Sequence, residues 1–286
     1  MDVVQLLTQL GGVASFRELE KAVSRHTIAQ ACRSGRIQHL RRDVYVVPGL
    51  DEARAAAARV NGTVSHLSAA LAHGWKVKHP PKQPMVTVGP HAHPTDTAGL
   101  AVSYAHLTAD QVVGGVTSKE RTVVDCARVL PFDEALAVAD SALRSRKVSR
   151  RQLEAAAQVA PRTGRGRALV VVRAASPLAA NPFESVLRAI AGDVPGLHVV
   201  PQGDVGTIGH ADLTDARLRI AIEADSYEFH SLPEAFRYDV RRYTDMVRAG
   251  WLVVRFVWED VMHKPAYVRD VLADVVSRRS REITTA

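Results

Sequence analysis

The sequence predicts a multidomain protein of mixed α+β and α/β class. Three observations point there. The 286 residues suffice for more than one hydrophobic core. Apolar residues switch between helical and strand spacing along the chain. Turn-rich breaks group those segments into three modules: residues 1–50, 51–178 and 179–286.

Bulk composition narrows the function classes. A hydrophobic content of 47% with 23% charged residues is that of a soluble protein, and a net charge of +7 suits a polyanionic partner. Cys32 and Cys126 lie far apart and outside any metal-binding spacing. That argues against a disulfide scaffold and a zinc knuckle and suits a reducing cytosol. Met1-Asp2-Val3-Val4-Gln5 lacks the basic start and apolar core of a signal peptide, and no apolar run is long enough to span a bilayer. A cytoplasmic protein is expected.

In the front module, Val3, Leu6, Leu7 and Leu10 recur at helical spacing, closed by Gly11-Gly12. Ser15-Phe16-Arg17-Glu18 has capping-box spacing and opens a second helix through Ala22. Ser24 caps a third helix to about Cys32, and Ile37 to Leu40 and Val44 to Val47 read as two strands joined by Arg41-Arg42-Asp43. Three short helices followed by a basic hairpin describe a winged helix-turn-helix. Its third helix carries Arg25, His26, Gln30 and Arg33, residue types that reach base edges and phosphates in a major groove. Arg41 and Arg42 at the wing tip suit backbone phosphate. DNA is the expected partner.

The middle module begins with an alanine-rich helix over 51–60 and a helix from Ser65 to Gly74-Trp75. Strands at Met85 to Val88 and Ala101 to Tyr104 flank a loop containing His91 and His93, which read as loop histidines rather than metal ligands. Thr117-Ser118-Lys119-Glu120 has capping-box spacing, and further helices follow over Ala135 to Leu143 and Ser149 to Val159. Asp125 and Cys126 sit within a helical apolar pattern and read as packing residues. The run Arg162 to Arg167 fits either a solvated turn or an extra phosphate contact.

In the last module, Asn181-Pro182-Phe183-Glu184 starts a helix: a cap, proline at the first position and an acid in the first turn. Strands are expected at His198 to Gln202, His210 to Leu213 and Leu218 to Asp225. A long helix opens at Ser231 and stops at Gly250, a strand covers Trp251 to Trp258, and a last helix runs from Ala266 to about Val276 before a polar tail. A hairpin across Thr214-Asp215-Ala216-Arg217 brings Asp212 beside Glu223, with Asp225 on the same face as Glu223. Clustered carboxylates repel, so three converging in one hairpin predict a divalent-metal site. The order helix, three strands, helix, strand, helix is that of the restriction-endonuclease-like core.

Two family resemblances follow from these residues. Leu40 to Gly49, with Val116-Thr117-Ser118-Lys119-Glu120-Arg121-Thr122-Val123-Val124-Asp125, resembles the abortive-infection type IV antitoxin family. That implies a winged helix joined to a second domain, DNA-binding autorepression and a cognate toxin as partner. Asp212, Glu223-Ala224-Asp225, His230, Tyr238-Asp239-Val240-Arg241-Arg242 and Ala249 to Arg255, in that order, resemble the very-short-patch repair endonucleases among the PD-(D/E)XK nucleases. Asp225 stands where the wider superfamily has lysine, and Ser226 where relatives carry glycine.

The second resemblance implies hydrolysis of DNA phosphodiesters. Asp212 and Glu223 would hold magnesium or manganese, and His230 would be general base or acid. Glu184 would take a metal-bound water or orient His230. Arg242 would hold the scissile phosphate, and Asp239 would orient the histidine or bind a second metal. The competing expectation is a repressor or antitoxin whose nuclease-like domain is inactive.

Overall fold

The computed structural model describes residues 2–41, 43–225 and 233–285, with backbone alone at 41, 233–236 and 285. Within them the chain has a mixed α+β architecture with three sheets. The first forms around α1 (Val3–Gln9), β1 (Val13–Ser15), α2 (Phe16–Leu19), α3 (Arg25–Arg33), β2 (Gln38–Arg41) and β3 (Val44–Val46). Ser15 and Glu18 complete the capping box, Ser15 N donating to the Glu18 carboxylate at 2.8 Å. α2 nevertheless lasts one turn, ending at Leu19 rather than Ala22, and the chain turns so that Ser24 caps α3. β1 is an addition to the expected pair. It pairs with β3 (Val13↔Val46), giving the order β1-β3-β2 over a core of Leu7, Leu19, Ile28 and Ile37.

The next stretch contains α4 (Glu52–Arg59), β4 (Thr63–Val64), α5 (His66–Ala72), β5 (Met85–Val88), β6 (Ala101–Tyr104), β7 (Val112–Val113) and β8 (Val116–Thr117). The strands form one sheet in the order β6-β5-β4-β8-β7. Four helices follow: α6 (Lys119–Val129), α7 (Phe132–Arg144), α8 (Arg150–Gln158) and α9 (Arg165–Ala174). Ser118, not Thr117, caps α6. The Thr117 hydroxyl is instead buried against Thr122, at 2.7 Å. Part of the Gly/Arg run is helix rather than turn: Arg165 opens α9 and donates to the Ala160 carbonyl, and Arg167 donates to the Leu130 carbonyl.

The last stretch contains α10 (Pro182–Gly192), β9 (Val200–Asp204), β10 (His210–Asp215), β11 (Ile220–Asp225), α11 (Pro233–Arg248), β12 (Leu252–Val257), α12 (Trp258–His263) and α13 (Pro265–Thr285). The sheet order is β12-β11-β10-β9. β9, β10 and β11 are antiparallel, whereas β11 and β12 run parallel, with α11 as the crossover a parallel pair requires. One face buries Leu213, Ile220, Ile222 and Phe256 against α10, α12 and α13. On the other, Ala221 lies with Met246 of α11.

Three expectations need correction here. The hairpin turn falls over residues 216–219, because Asp215 is still strand and its carboxylate accepts from Leu218 N at 3.0 Å and His198 N at 2.8 Å. α12 is an addition to the expected elements. The expected polar tail is the end of α13, where Arg279 donates to the Leu218 and Gly250 carbonyls at 2.9 Å and ties the helix to both turns. No helix among the described residues is long and apolar enough to cross a membrane.

Gly203 of β9 lies tight against the Thr214 side chain of β10. A Cβ there would lie 1.7 Å from Thr214 Oγ1 and 2.8 Å from Thr214 Cβ. Gly203→Ala is therefore expected to lower unfolding free energy by about 1–3 kcal/mol, the usual cost of overpacking. Urea denaturation checks this, and an unshifted midpoint would mean that the strands separate freely.

Candidate active site

Strand register assembles the site. Leu213 pairs with Ile222, and one step on Asp212 lies beside Glu223. On the other flank Ala211 pairs with Gly203 and Leu213 with Pro201, which brackets Asp212 against Gln202. Across the parallel pair, Glu223 is in register with Arg255. α11 crosses this face and contributes Arg242 and Tyr243, while Glu184 arrives from the first turn of α10.

The acids are held in a tight polar net. Asp212 accepts from Ala224 N at 2.8 Å and from Gln202 Nε2 at 3.1 Å. Glu223 accepts from the Arg242 guanidinium at 2.8 Å, and the same guanidinium also donates to the His210 carbonyl. Glu184 accepts from Ala180 N at 2.8 Å and the Asn181 amide at 3.0 Å, completing the start of α10. Asp225 takes Arg255 at 2.6 Å and the Tyr243 hydroxyl at 3.4 Å, and Arg255 stacks 4.0 Å over the Tyr243 ring.

Burial raises the proton affinity of three of these carboxyls. Glu184 is pushed up to about 7 by desolvation, with the Asp212 charge adding to it. Glu223 is likewise pushed up to about 7 by desolvation and by Asp212, against the pull of Arg242. Asp212 is raised by burial, opposed by its donors Ala224 N and Gln202. Carboxyls that burial makes reluctant to ionise, two of them also facing the Asp212 charge, are in want of positive charge.

The expected residues fall into distinct sets. Glu184, Asp212 and Glu223 come together, joined by Arg242. Arg242 is engaged by Glu223 and the His210 carbonyl rather than held open for a phosphate. Asp225 turns to Arg255, and Asp239 is partly buried on α11, where its charge acts on Tyr243 and Arg255. His230 lies outside the described residues. Among those described, no group of three or more His, Cys, Asp or Glu side chains is arranged to hold a metal ion. Asp212 and Glu223 set two carboxylates side by side on neighbouring strands.

Elsewhere, Arg25, His26, Gln30 and Arg33 are exposed on α3, with Arg25 3.5 Å from Glu20. Arg41 ends β2 and its side chain is not described; Arg42 lies outside the described residues. His91 and His93 are exposed in the loop between β5 and β6. Asp125 and Cys126 are buried in α6, Asp125 pairing with Arg121 at 2.7 Å and Arg128 at 3.4 Å.

Gln202 and Tyr243 belong to the site although no motif in the sequence points to them, and Arg255, the last residue of the Ala249 to Arg255 motif, joins it in a role that motif does not assign. Gln202 is uncharged and sits in Pro201-Gln202-Gly203, which reads as a strand end, yet its φ of +49° turns its amide toward Asp212. Arg255 interrupts an otherwise apolar strand.

No family model matches the chain. It aligns with two proteins of Mycobacterium tuberculosis, "Uncharacterized protein MT2308" of strain CDC 1551 / Oshkosh and "Uncharacterized protein Rv2248" of strain ATCC 25618 / H37Rv. Each is 31% identical over 208 residues, covering 69% of this chain and 75% of the relative. Among solved structures, the RV2827C protein of Mycobacterium tuberculosis aligns with a TM-score of 0.35 and 15% identity, over 64% of this chain and 78% of that one.

Because Glu184 and Glu223 hold protons more tightly folded than unfolded, their contribution to stability is present below about pH 4.5 and lost as pH rises through about 7. Glu223→Gln and Glu184→Gln should therefore gain melting temperature relative to wild type between pH 5 and pH 8 (~3 pH units). Parallel melting curves across that range would show that the two carboxyls ionise as readily folded as unfolded.

Proposed function

The chain belongs to the family of the Mycobacterium tuberculosis protein Rv2248, and we propose that it is a DNA-binding protein with a metal-dependent phosphodiesterase site of the PD-(D/E)XK kind in its C-terminal sheet. One observation carries this reading. Asp212, half-buried, and Glu223, buried, lie side by side on adjacent strands with raised proton affinity. A pair of adjacent carboxylates, each with its proton affinity raised by burial, suits a hard cation.

The donor set fits magnesium or manganese, held by Asp212 and Glu223. Such an ion, when bound, polarises a phosphate and lowers the pKa of an attacking water. Ala224 N and Gln202 fix the Asp212 carboxylate, so its orientation does not depend on the ligand. Glu184, beside Asp212 and half-protonated near neutrality, is suited to accept or return a proton from a water there. His230 is assigned general acid or base from sequence alone. Arg255 and Tyr243 hold Asp225 aside from the metal pair.

The front elements supply the DNA-binding half of the proposal. Three helices and an antiparallel hairpin, with exposed Arg25, His26, Gln30 and Arg33 on α3, suit a winged helix-turn-helix docked in a major groove. A second reading, an antitoxin-like autorepressor with a silent nuclease-like domain, is favoured by the ion pair between Arg242 and Glu223, which already gives Glu223 a positive partner.

Two experiments separate these readings. Plasmid and single-stranded DNA should be cut in magnesium or manganese, and Asp212→Ala or Glu223→Ala should abolish the cutting. Variants that still cut would sink the site assignment, and a wild type that binds but never cuts would favour the repressor. In the front module, Arg25→Ala and Arg33→Ala should each weaken duplex binding by about 1–3 kcal/mol, with wild-type affinity falling steeply with salt. Unchanged affinity in both variants would remove α3 from the interface.

A further inference from the structure

We propose that the cleft between α11 and the 3-10 turn Gly206–Ile208 is a second nucleic-acid site, which takes a single strand by its phosphates and stacks a base on Tyr238. It deepens the phosphodiesterase reading of the neighbouring carboxylates and rests on it for its purpose. The cleft measures about 640 Å³ and is floored by Thr207 and Ile208. Tyr238, Arg241, Asp245 and Arg248 line it from α11. Their spacing of three, four and three residues makes them one helical stripe.

Charge and shape select the occupant. Of the three arginines lining the cleft, Arg242 is paired with Glu223, which leaves Arg241 and Arg248 facing one aspartate, Asp245. Asp245 and Arg248 stand 3.8 Å apart and are both well exposed, so their mutual attraction is weak and Arg248 keeps most of its pull on an anion. Arg241 and Arg248 are two helical turns apart, about 10 Å along the axis, so they reach different phosphates of one backbone rather than pinching a single ion. Tyr238 is 66% exposed beside them. A large ring laid open next to arginines is the combination that holds unpaired bases, whose faces stack whatever their sequence. Arg242 lines the same cleft and reaches Glu223 at 2.8 Å, so a strand seated here lies against the carboxylate pair.

The test uses the full chain carrying Arg25→Ala and Arg33→Ala, so that the front module does not mask the cleft. Binding of a labelled oligothymidine is followed by fluorescence anisotropy in chelator across a salt series. The added pair Arg241→Ser and Arg248→Ser should make the log–log salt dependence shallower by about 1.4, roughly 0.7 for each phosphate of a single strand that no longer meets an arginine. Tyr238→Ala should weaken binding by about 5- to 150-fold with the salt slope kept, and Tyr238→Phe should restore it. An unchanged slope, equal losses in the alanine and phenylalanine variants, or displacement of the oligothymidine by polyglutamate at equal charge would each overturn the proposal. All three side chains are exposed, and thermal melting confirms that the variants fold. Failure of the carboxylate reading shows separately, as cutting that survives Asp212→Ala, and leaves the salt slopes untouched.

Discussion

The pairing of Arg242 with Glu223 is the interaction on which the C-terminal arrangement turns. Asp212, Glu223 and Glu184 converge in a region with little water, where like charges repel strongly and each ion loses solvation. One guanidinium, two backbone N–H groups and two side-chain amides are the donors placed against them. Bringing Arg242 there requires α11 to return across the sheet, and the parallel placement of β12 beside β11 requires that same crossover. Topology and electrostatics thus impose one condition. Gly250 serves both: its φ of +84° turns the chain out of α11, and its carbonyl receives Arg279 from α13.

Glu184 depends on a second tie, outside the sheet. Asp140 of α7 and Arg188 of α10 pair at 2.6 Å, almost wholly buried, with Asp140 also accepting from Ser176 N at 2.6 Å and Arg188 donating to the Ala174 carbonyl. Such a pair adds little net stability over an apolar contact, but a partner left alone is costly, so it fixes which helices meet. It sets α10 against α7, and with it the start of α10 where Asn181, Ala180 and Glu184 interlock. The Asp125 cluster with Arg121 and Arg128 has the same character within the middle helices, which is why an acid there packs.

Much of this is legible in the residues because it is encoded locally. Ser15, Ser24, Ser149 and Asn181 cap where their sequence neighbours say they must, since a cap involves groups three residues apart. The meeting of Asp212 with Glu223 is legible only in outline, as acids on two neighbouring strands: a turn over 214–217 would set Asp212 opposite Arg219, and the turn at 216–219 is what brings it to Glu223. What escapes depends on contacts distant in sequence. β1 is three residues long and becomes a strand only against β3. Gln202 carries no charge to advertise it, and its role comes from a left-handed backbone angle. The end of α13 looks like a solvated tail until Arg279 finds two carbonyls from turns far away in the chain. The chemistry of Arg242, taken alone, suits a phosphate; that it reaches Glu223 is a fact of helix placement.

That placement bears on how the site can change state. Arg242 sits where a cation bound to Glu223 and a phosphate in the adjoining cleft each have a claim: the first competes with it, the second attracts it. A carboxylate loses its guanidinium at low cost only if the guanidinium gains another anion, since a buried charge stranded without a partner is strongly unfavourable. Under the proposed reading, nucleic acid and metal therefore favour one another through this one side chain. The strand offers Arg242 new oxygens, and Glu223, released, offers its own to the ion. Coupling of this kind is reciprocal, so whatever tightens the ion must tighten the strand by the same factor. An arginine, which keeps its charge at any physiological pH, suits that exchange better than a lysine or histidine, because its fork can bridge the old and the new partner during the transfer.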